Sequence, residues 1–329
     1  MSSAARSVRI GVIGRGFGTR VVAPVFDETE GCEVVEAISA RDASGVHQLC
    51  ARTDVDLIAV HSPPFLHLEH VRLALEAGHA VLCDKPFGRS VAEAEAMVSL
   101  ATDASALGLV NYQFRYGAAR ARLRALIGDG AIGEAEHLES SIFLAVTRVP
   151  VREYGWLFDA ELGGGWINAG GSHTVDMFRW LFGDVAKARA AARTAIASRP
   201  DASGEMHPCT AEDGFSATLV SLSGVSATLD SSFASPVNLE SRITVFGSDG
   251  VLEQRGERSV SLLRTDAEPE EHTFDVSDPA QAFRRWAAVV RQAVVDGGAE
   301  AGAATFADGL AAARVLEALR AGGDPLGAS

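Results

Sequence analysis

The stretch "IGVIGRGFGTRVVAP" sets four glycines within eight residues, directly behind an apolar, β-branched run. A chain that leaves a buried strand through Gly14-Arg15-Gly16 and enters a helix has few folds open to it. Gly14 permits the sharp turn, and Gly16 lets the backbone come close to a pyrophosphate. The helix that follows offers its unpaired N–H groups and positive end to the anion. The third glycine of such a turn belongs at position 19, which is Thr19, while Gly18 stands one place early. A strand before the turn, a helix after it and a continuing βα series point to a bound dinucleotide rather than a bare bend.

That series runs through the first third of the chain. "VRIGVIG", "CEVVEAIS", "DLIAVHS", "AVLCDKP" and "ALGLVNYQF" read as buried strands. "FLHLEHVRLALEAG" has helical spacing with Gly78 as its stop, and "SVAEAEAMVSLA" opens with Ser90 and Glu93 at capping-box spacing. Alternating elements of this kind predict a parallel sheet with helices on both faces. Only fourteen residues separate Ser39 from Asp54. A helix, a strand and two loops of ordinary length need about 24. One helix–strand unit, and with it an edge strand, is therefore expected to be missing, which leaves the adenine end of the cofactor more exposed.

Beyond about residue 120 the pattern changes. "FSATLVSLS", "VSATLDSSF" and "SRITVFGS" alternate as the strands of an open antiparallel sheet, and "ASRPDASGEMHPCTAEDG" reads as a long surface loop. Two helices, "AQAFRRWAAVVRQAV" and "FADGLAAARVLEALRA", close the chain. The expected organisation is α/β: a Rossmann-like domain over 1–120, then an α+β substrate and oligomerisation domain over 121–329.

The end of the second strand selects the cofactor. An acid there binds the ribose 2′-hydroxyl of NAD, and an arginine suits the 2′-phosphate of NADP. Ser39 occupies the acid's place and Arg41 follows, which favours NADP with NAD still possible; Asp42 is the counter-candidate. The net charge of −14 speaks against holding nucleic acid by its phosphates. No apolar run has membrane-spanning length and the N-terminus lacks a signal-peptide pattern, so a cytoplasmic protein is expected. Cys32, Cys50, Cys83 and Cys209 lie far apart without a C-x-x-C pair and read as buried free thiols. His67 and His70, at i and i+3 without an acidic or cysteine ligand nearby, indicate no metal, and His70 reads as a surface residue.

At "CDKP" a more specific sign appears. Asp84-Lys85-Pro86 resembles the glutamate-lysine-proline motif of the glucose-fructose oxidoreductase/inositol dehydrogenase/rhizopine catabolism (Gfo/Idh/MocA) family. "HSPPFLHLEHVRLALEAGHAVLCDKP" is similar to that family's Pro-x-x-x-His loop, helix and lysine strand. "NYQFRY" resembles its aromatic-Arg segment, "GGGWINAGGSHTVDMFRWLFG" its glycine-rich segment ending in a His-x-x-Asp helix, and "AEDGFSATL" and "FADGLAAARVLEAL" its later sheet and last helix. The resemblance implies NAD(P)-dependent oxidation or reduction at a carbinol carbon of a sugar, polyol or related compound. It also implies a substrate cleft between the domains and a homodimer or homotetramer built through the open sheet face.

Carried over by position, Lys85 is the catalytic lysine, His173 the catalytic histidine, and Pro86 shapes the loop under the nicotinamide. Gly14, Gly16, Phe17, Gly18, Ser39, Arg41, Ser62, Pro63, His67, Asp84, Lys85 and Pro86 are the expected cofactor contacts. Arg115, Tyr154, Trp166, Asn168 and Asp176 are the expected substrate contacts, with Asp176 one turn beyond His173 and able to orient its ring. The family pattern has an aspartate four residues before the histidine; here that residue is Ala169. This departure leaves open two alternatives to a dehydrogenase: a non-catalytic NAD(P)-binding regulator, and a glycosidase that retains its NAD.

Overall fold

The computed structural model describes residues 7–322. The first unit is built on a five-stranded parallel sheet. Its strands are β1 (Val8–Ile13), β2 (Cys32–Ile38), β3 (Leu57–Val60), β4 (Ala80–Cys83) and β5 (Gly108–Val110), in the order β2-β1-β3-β4-β5. Between them run α1 (Ala23–Asp27), α2 (Ala43–Cys50), α3 (His67–Glu76) and α4 (Val91–Asp103). β3 is buried at every residue, as a strand covered on both faces must be. The expected edge strand is missing: α2 carries the chain from β2 across β1 to β3, and β2 is the edge, with most of its residues partly or fully exposed. The strand order reverses between β1 and β3, so a crevice for ligand opens at their C-terminal ends.

The second unit starts with α5 (Ala118–Gly128), β6 (Ala135–Phe143), α6 (Ser172–Phe182) and β7 (Val185–Arg193). β8 (Ser198–Pro200) and β9 (Met206–Pro208) follow, then β10 (Gly214–Ser221), β11 (Ser226–Ser232), β12 (Arg242–Gly247), β13 (Val251–Arg255), β14 (Ser259–Leu263) and β15 (Glu270–Thr273). Eight of these strands form one sheet, β15-β14-β13-β12-β6-β11-β10-β7. The sheet is mixed rather than purely antiparallel, because β6 and β11 run parallel. Along β10 and β11 buried and exposed residues alternate, so one face is covered and the other open.

The segment expected to be a surface loop holds the β8–β9 hairpin. Arg199 within it is fully buried, with its guanidinium 3.9 Å above the Phe158 ring and Nη1 donating to the carbonyls of Thr147 (2.5 Å) and Arg152 (3.2 Å). Strands of three residues are too short to show a period, so the hairpin leaves no mark in the hydrophobic pattern.

The chain closes with α7 (Gln281–Asp296) and α8 (Phe306–Arg320). The division into units differs from two consecutive domains. Residues to Gln113 and Ala280–Ala313 form one, and Phe114–Pro279 with the residues from Arg314 form the other. Packing explains the return. Phe283 of α7 meets Phe26 and Phe17 at ring-centroid distances of 6.0 and 6.1 Å, and Arg284 pairs with Glu28. Ala304 accepts from Val110 and Thr305 bridges to Leu109, so this segment covers the edge that β5 would otherwise leave open.

Candidate active site

At the end of β1 the glycine turn is shaped by what lies behind it. Gly14 has φ +144°, and a Cβ there would sit 2.4 Å from the His61 carbonyl oxygen, so only glycine fits. Gly18 packs against His61 and Val12; a Cβ on it would lie 3.1 Å from the first and 3.2 Å from the second. It thus does the helix–strand packing expected of a glycine at position 19. It can do so one place early because the helix opens with a wide turn over Gly18–Val22, in which Ala23 N–H reaches back to the Gly18 carbonyl. Thr19 instead donates its hydroxyl to Gly14 O at 2.8 Å. A Cβ on Gly16 would meet nothing within 4 Å, which leaves the open backbone surface that a pyrophosphate needs.

Beyond β2, Ser39 Oγ accepts from the Arg41 N–H at 3.3 Å, and the Arg41 guanidinium, exposed, has no partner among the described residues. Asp42 is occupied. It caps α2, accepting from Gly45 N–H at 2.9 Å and from the Ser44 hydroxyl at 3.0 Å, and these bonds hold its carboxyl below the ordinary range. These side chains stand where the ribose end of a nicotinamide dinucleotide would lie.

The ends of β3, β4 and β5 meet around Asp84-Lys85-Pro86. Asp84 Oδ1 accepts from the Lys85 N–H at 2.9 Å and from Asn111 Nδ2 at 3.3 Å, while Oδ2 lies 3.2 Å from His61 Nδ1. Burial pushes the Asp84 carboxyl up, but His61, Lys85 and His67 outweigh it and hold the group well below the usual carboxylate range. Burial drives the Lys85 amine down, and the Asp84 charge opposes it. An amine so placed gives up its proton more readily than one in water.

Ser62 and His67, two of the residues expected to touch cofactor, also hold the loop together. His67 is fully buried, its ring between the Ser62 carbonyl (2.8 Å) and the Pro86 carbonyl (3.1 Å), so it ties two loops together. Desolvation favours its neutral form. Ser62 is buried too, and its hydroxyl lies 3.0 Å from His70 Nδ1. His70 is thus a core residue and not a surface one, with its pKa pushed down to about 4 chiefly by burial.

In the second unit, His173 stands in the first turn of α6 with its ring 4.3 Å from that of Phe114. Arg115 and Asp176 are brought together: Nε and Nη2 of the arginine donate to the two carboxylate oxygens at 2.9 and 2.5 Å, with both side chains at most 4% exposed. This bidentate pair binds the turn Gln113–Tyr116 to α6. Asn168 is buried and donates to the carbonyls of Gly163 (3.1 Å) and Gly164 (3.2 Å), bracing the glycine loop. Trp166 stacks on Phe233 at 4.7 Å and donates to Ser231. Ala169, in the place of the family aspartate, packs against the apolar cluster of Leu157, Phe158 and Phe233, where an unpaired carboxylate would be costly.

Tyr154 and Trp156 line a concavity of about 340 Å³ with Arg152, Glu153, Gly155, Leu157 and Phe158. The Tyr154 hydroxyl donates to Asp159 and its ring stacks on His207 at 4.9 Å. Two residues near the expected positions carry no signal in the sequence. His61 has no motif of its own. Glu212 accepts from the Ile167 N–H at 2.8 Å and holds the turn leading into α6, its carboxyl pushed up by burial. Asp201, Glu205 and His207 form a compact metal-competent group, but Asp201 already accepts from Ser203 and Glu205 within its turn. Among the described residues no helix is long and apolar enough to cross a membrane.

Comparison with known proteins agrees with this architecture. Residues 8–112 match the oxidoreductase family with an NAD-binding Rossmann fold, and residues 121–253 match the GFO/IDH/MocA C-terminal domain. An uncharacterised oxidoreductase of Synechocystis is 30% identical over 278 residues, 79% of this chain and 72% of that protein. A levoglucosan dehydrogenase of Pseudarthrobacter phenanthrenivorans is 29% identical over 152 residues, 46% of this chain and 39% of that protein. The solved structure of a levoglucosan dehydrogenase with NADH and L-sorbose superposes with a TM-score of 0.84 over 96% of each chain at 18% identity.

Proposed function

The chain belongs to the GFO/IDH/MocA family of oxidoreductases, and from that premise we propose that it is an NADP-preferring dehydrogenase or reductase acting on a hydroxyl or carbonyl carbon of a sugar or polyol. The observation that carries the cofactor preference is the unpartnered Arg41 guanidinium beside Ser39, with Asp42 committed to capping α2. The substrate class rests on relatives named for sugars, among them the levoglucosan dehydrogenase, a 1,5-anhydro-D-fructose reductase and a D-xylose 1-dehydrogenase.

A nicotinamide dinucleotide held at the Gly14–Gly16 turn would supply the hydride donor or acceptor for the carbinol carbon. This chain's residues handle the proton. Lys85, lowered in pKa by burial, takes the proton from the substrate hydroxyl in oxidation and returns it in reduction. Asp84 keeps the lysine from losing its proton too easily. His173, in the first turn of α6, is the second acid–base group of this reading. Gly16 gives backbone access to the pyrophosphate, and Arg41 pairs with the 2′-phosphate. The open face of the eight-stranded sheet is the surface through which two or four copies assemble.

The test is a fluorescence titration of nucleotide-free protein with NADPH and NADH. A charge-assisted hydrogen bond contributes about 1.5–3 kcal/mol, so Arg41→Ala should weaken NADPH roughly 10- to 150-fold and leave NADH unchanged. Tighter binding of NADH than NADPH by the unmodified protein would overturn the preference.

A further inference from the structure

The Asp84-Lys85-Pro86 turn differs from the family motif by one methylene, an aspartate standing for a glutamate. The shorter carboxylate is met by a histidine from the next strand. His61 follows β3 directly, its side chain has no exposed surface, and its Nδ1 lies 3.2 Å from Asp84 Oδ2. Its position is over-determined: its carbonyl abuts Gly14, its Cβ abuts Gly18, and the Phe17 ring lies 5.8 Å from its own. Both ring nitrogens are buried, and neither makes a hydrogen bond of good geometry; the close approach of Nδ1 to the Asp84 carboxylate is the polar contact that accounts for the ring's presence in this core.

We propose that His61 is a positioning residue for Lys85: its Nδ1–H holds the Asp84 carboxylate and shares its charge, which loosens the lysine's grip on the proton it exchanges with substrate. The inference rests on the reading of Lys85 as the proton-transfer group. The charged and titratable groups around this carboxylate are few. His61 comes from the end of β3, Lys85 from the end of β4 and His67 from the start of α3; the Cys83 thiol, held protonated by burial, precedes it, and Asn111 from β5 is uncharged. With Asp84 attracted both by His61 and by Lys85, weakening the first attraction strengthens the second. Loss of the Nδ1–H therefore raises the proton affinity of Lys85 and moves the base form of the enzyme to higher pH.

Two isosteric variants separate a positioning role from a packing role. His61→Asn keeps an N–H donor where Nδ1 stands, and His61→Gln places it where Nε2 stands. Lys85 and Lys187 are the only lysines in the chain, and Lys187 is exposed, so 13C-labelled lysine gives two assignable Cε signals. The Lys85 midpoint should stay within about 0.3 pH unit of the unmodified protein in His61→Asn and rise by about one unit in His61→Gln, a tenfold gain in proton affinity. The pH dependence of kcat for alcohol oxidation should follow the same order. Equal midpoints in all three proteins, or equal shifts in both variants, would overturn the proposal. Should the variants not fold, 15N spectra of histidine in the unmodified protein decide it: an Nδ1–H signal for His61 supports the bond, and an Nε2–H tautomer refutes it. Because these spectra do not depend on turnover, a catalytically indifferent Lys85→Met would discredit the role given to the lysine without touching the His61–Asp84 bond.

Discussion

Arg115 and Asp176 offer a sharp test of which side chains serve the fold and which serve substrate. Replacing Arg115 with Met keeps the aliphatic bulk and removes the guanidinium, leaving a carboxylate that is 3% exposed without its bidentate partner. Breaking a buried pair from one side costs about 3–5 kcal/mol, because the remaining charge loses its bidentate partner while staying buried. For a unit of this size each kcal/mol lowers the melting temperature by about 2–4 °C, so a fall of roughly 6–20 °C is expected by circular dichroism. Asp176→Leu alone should cost a similar amount. The double variant, with an apolar pair in the same volume, should recover most of the loss, since replacing both partners removes both desolvation penalties. The KM for sugar in the double variant should stay within a few-fold of the unmodified value, as neither group is exposed. A melting temperature changed by less than about 2 °C in Arg115→Met, together with a tenfold rise in KM, would show that the arginine faces substrate and that the reasoning from burial is wrong.

The two outer glycines of the G-x-G turn should separate cleanly. Gly14→Ala places a Cβ 2.4 Å from a carbonyl oxygen at φ +144° and should destabilise the protein by about 3 kcal/mol in urea unfolding. Gly16→Ala meets open space and should leave the unfolding midpoint unchanged while weakening nucleotide binding at least tenfold, because the added methyl enters the volume meant for phosphate. Acid should destabilise the first unit through His70. Its folded pKa, about 4, lies below the unfolded value near 6.5. Its contribution is therefore complete above pH 6.5 and is lost as pH falls towards 4, about 2 kcal/mol by pH 5. Urea midpoints measured between pH 7.5 and 5 should show that loss, and His70→Gln should flatten it.

The sequence reveals the parts of this molecule that depend on neighbours along the chain. The glycine turn, the missing edge strand, the βα alternation and the Asp84-Lys85-Pro86 strand end all follow from local spacing. Contacts made across strands are hidden from it. His61 and Asp84 meet only because β3 and β4 are adjacent in the sheet, and neither residue carries a periodic signal that would pair them. Arg115 and Asp176 lie 61 positions apart, and each alone resembles a substrate ligand. The helical period of α7 is plain, but not the surface it covers, since an apolar stripe does not state its partner. His70 reads as exposed because one histidine at i+3 from another does not reveal which face of α3 is buried.

The measurement that bears most directly on the function is the change in absorbance at 340 nm with NADP+ or NAD+ over a panel of sugars, anhydrosugars and polyols, for the unmodified protein and for Lys85→Met. Turnover of at least one sugar is expected, faster with NADP+. Lys85→Met should lose about 10²–10⁴ in kcat, the size of a positioned acid–base contribution, with NADPH binding kept within a few-fold. Unchanged turnover in Lys85→Met would contradict the role given to the lysine, and tight NADPH binding without turnover of any compound would mark the protein as a nucleotide-binding regulator instead.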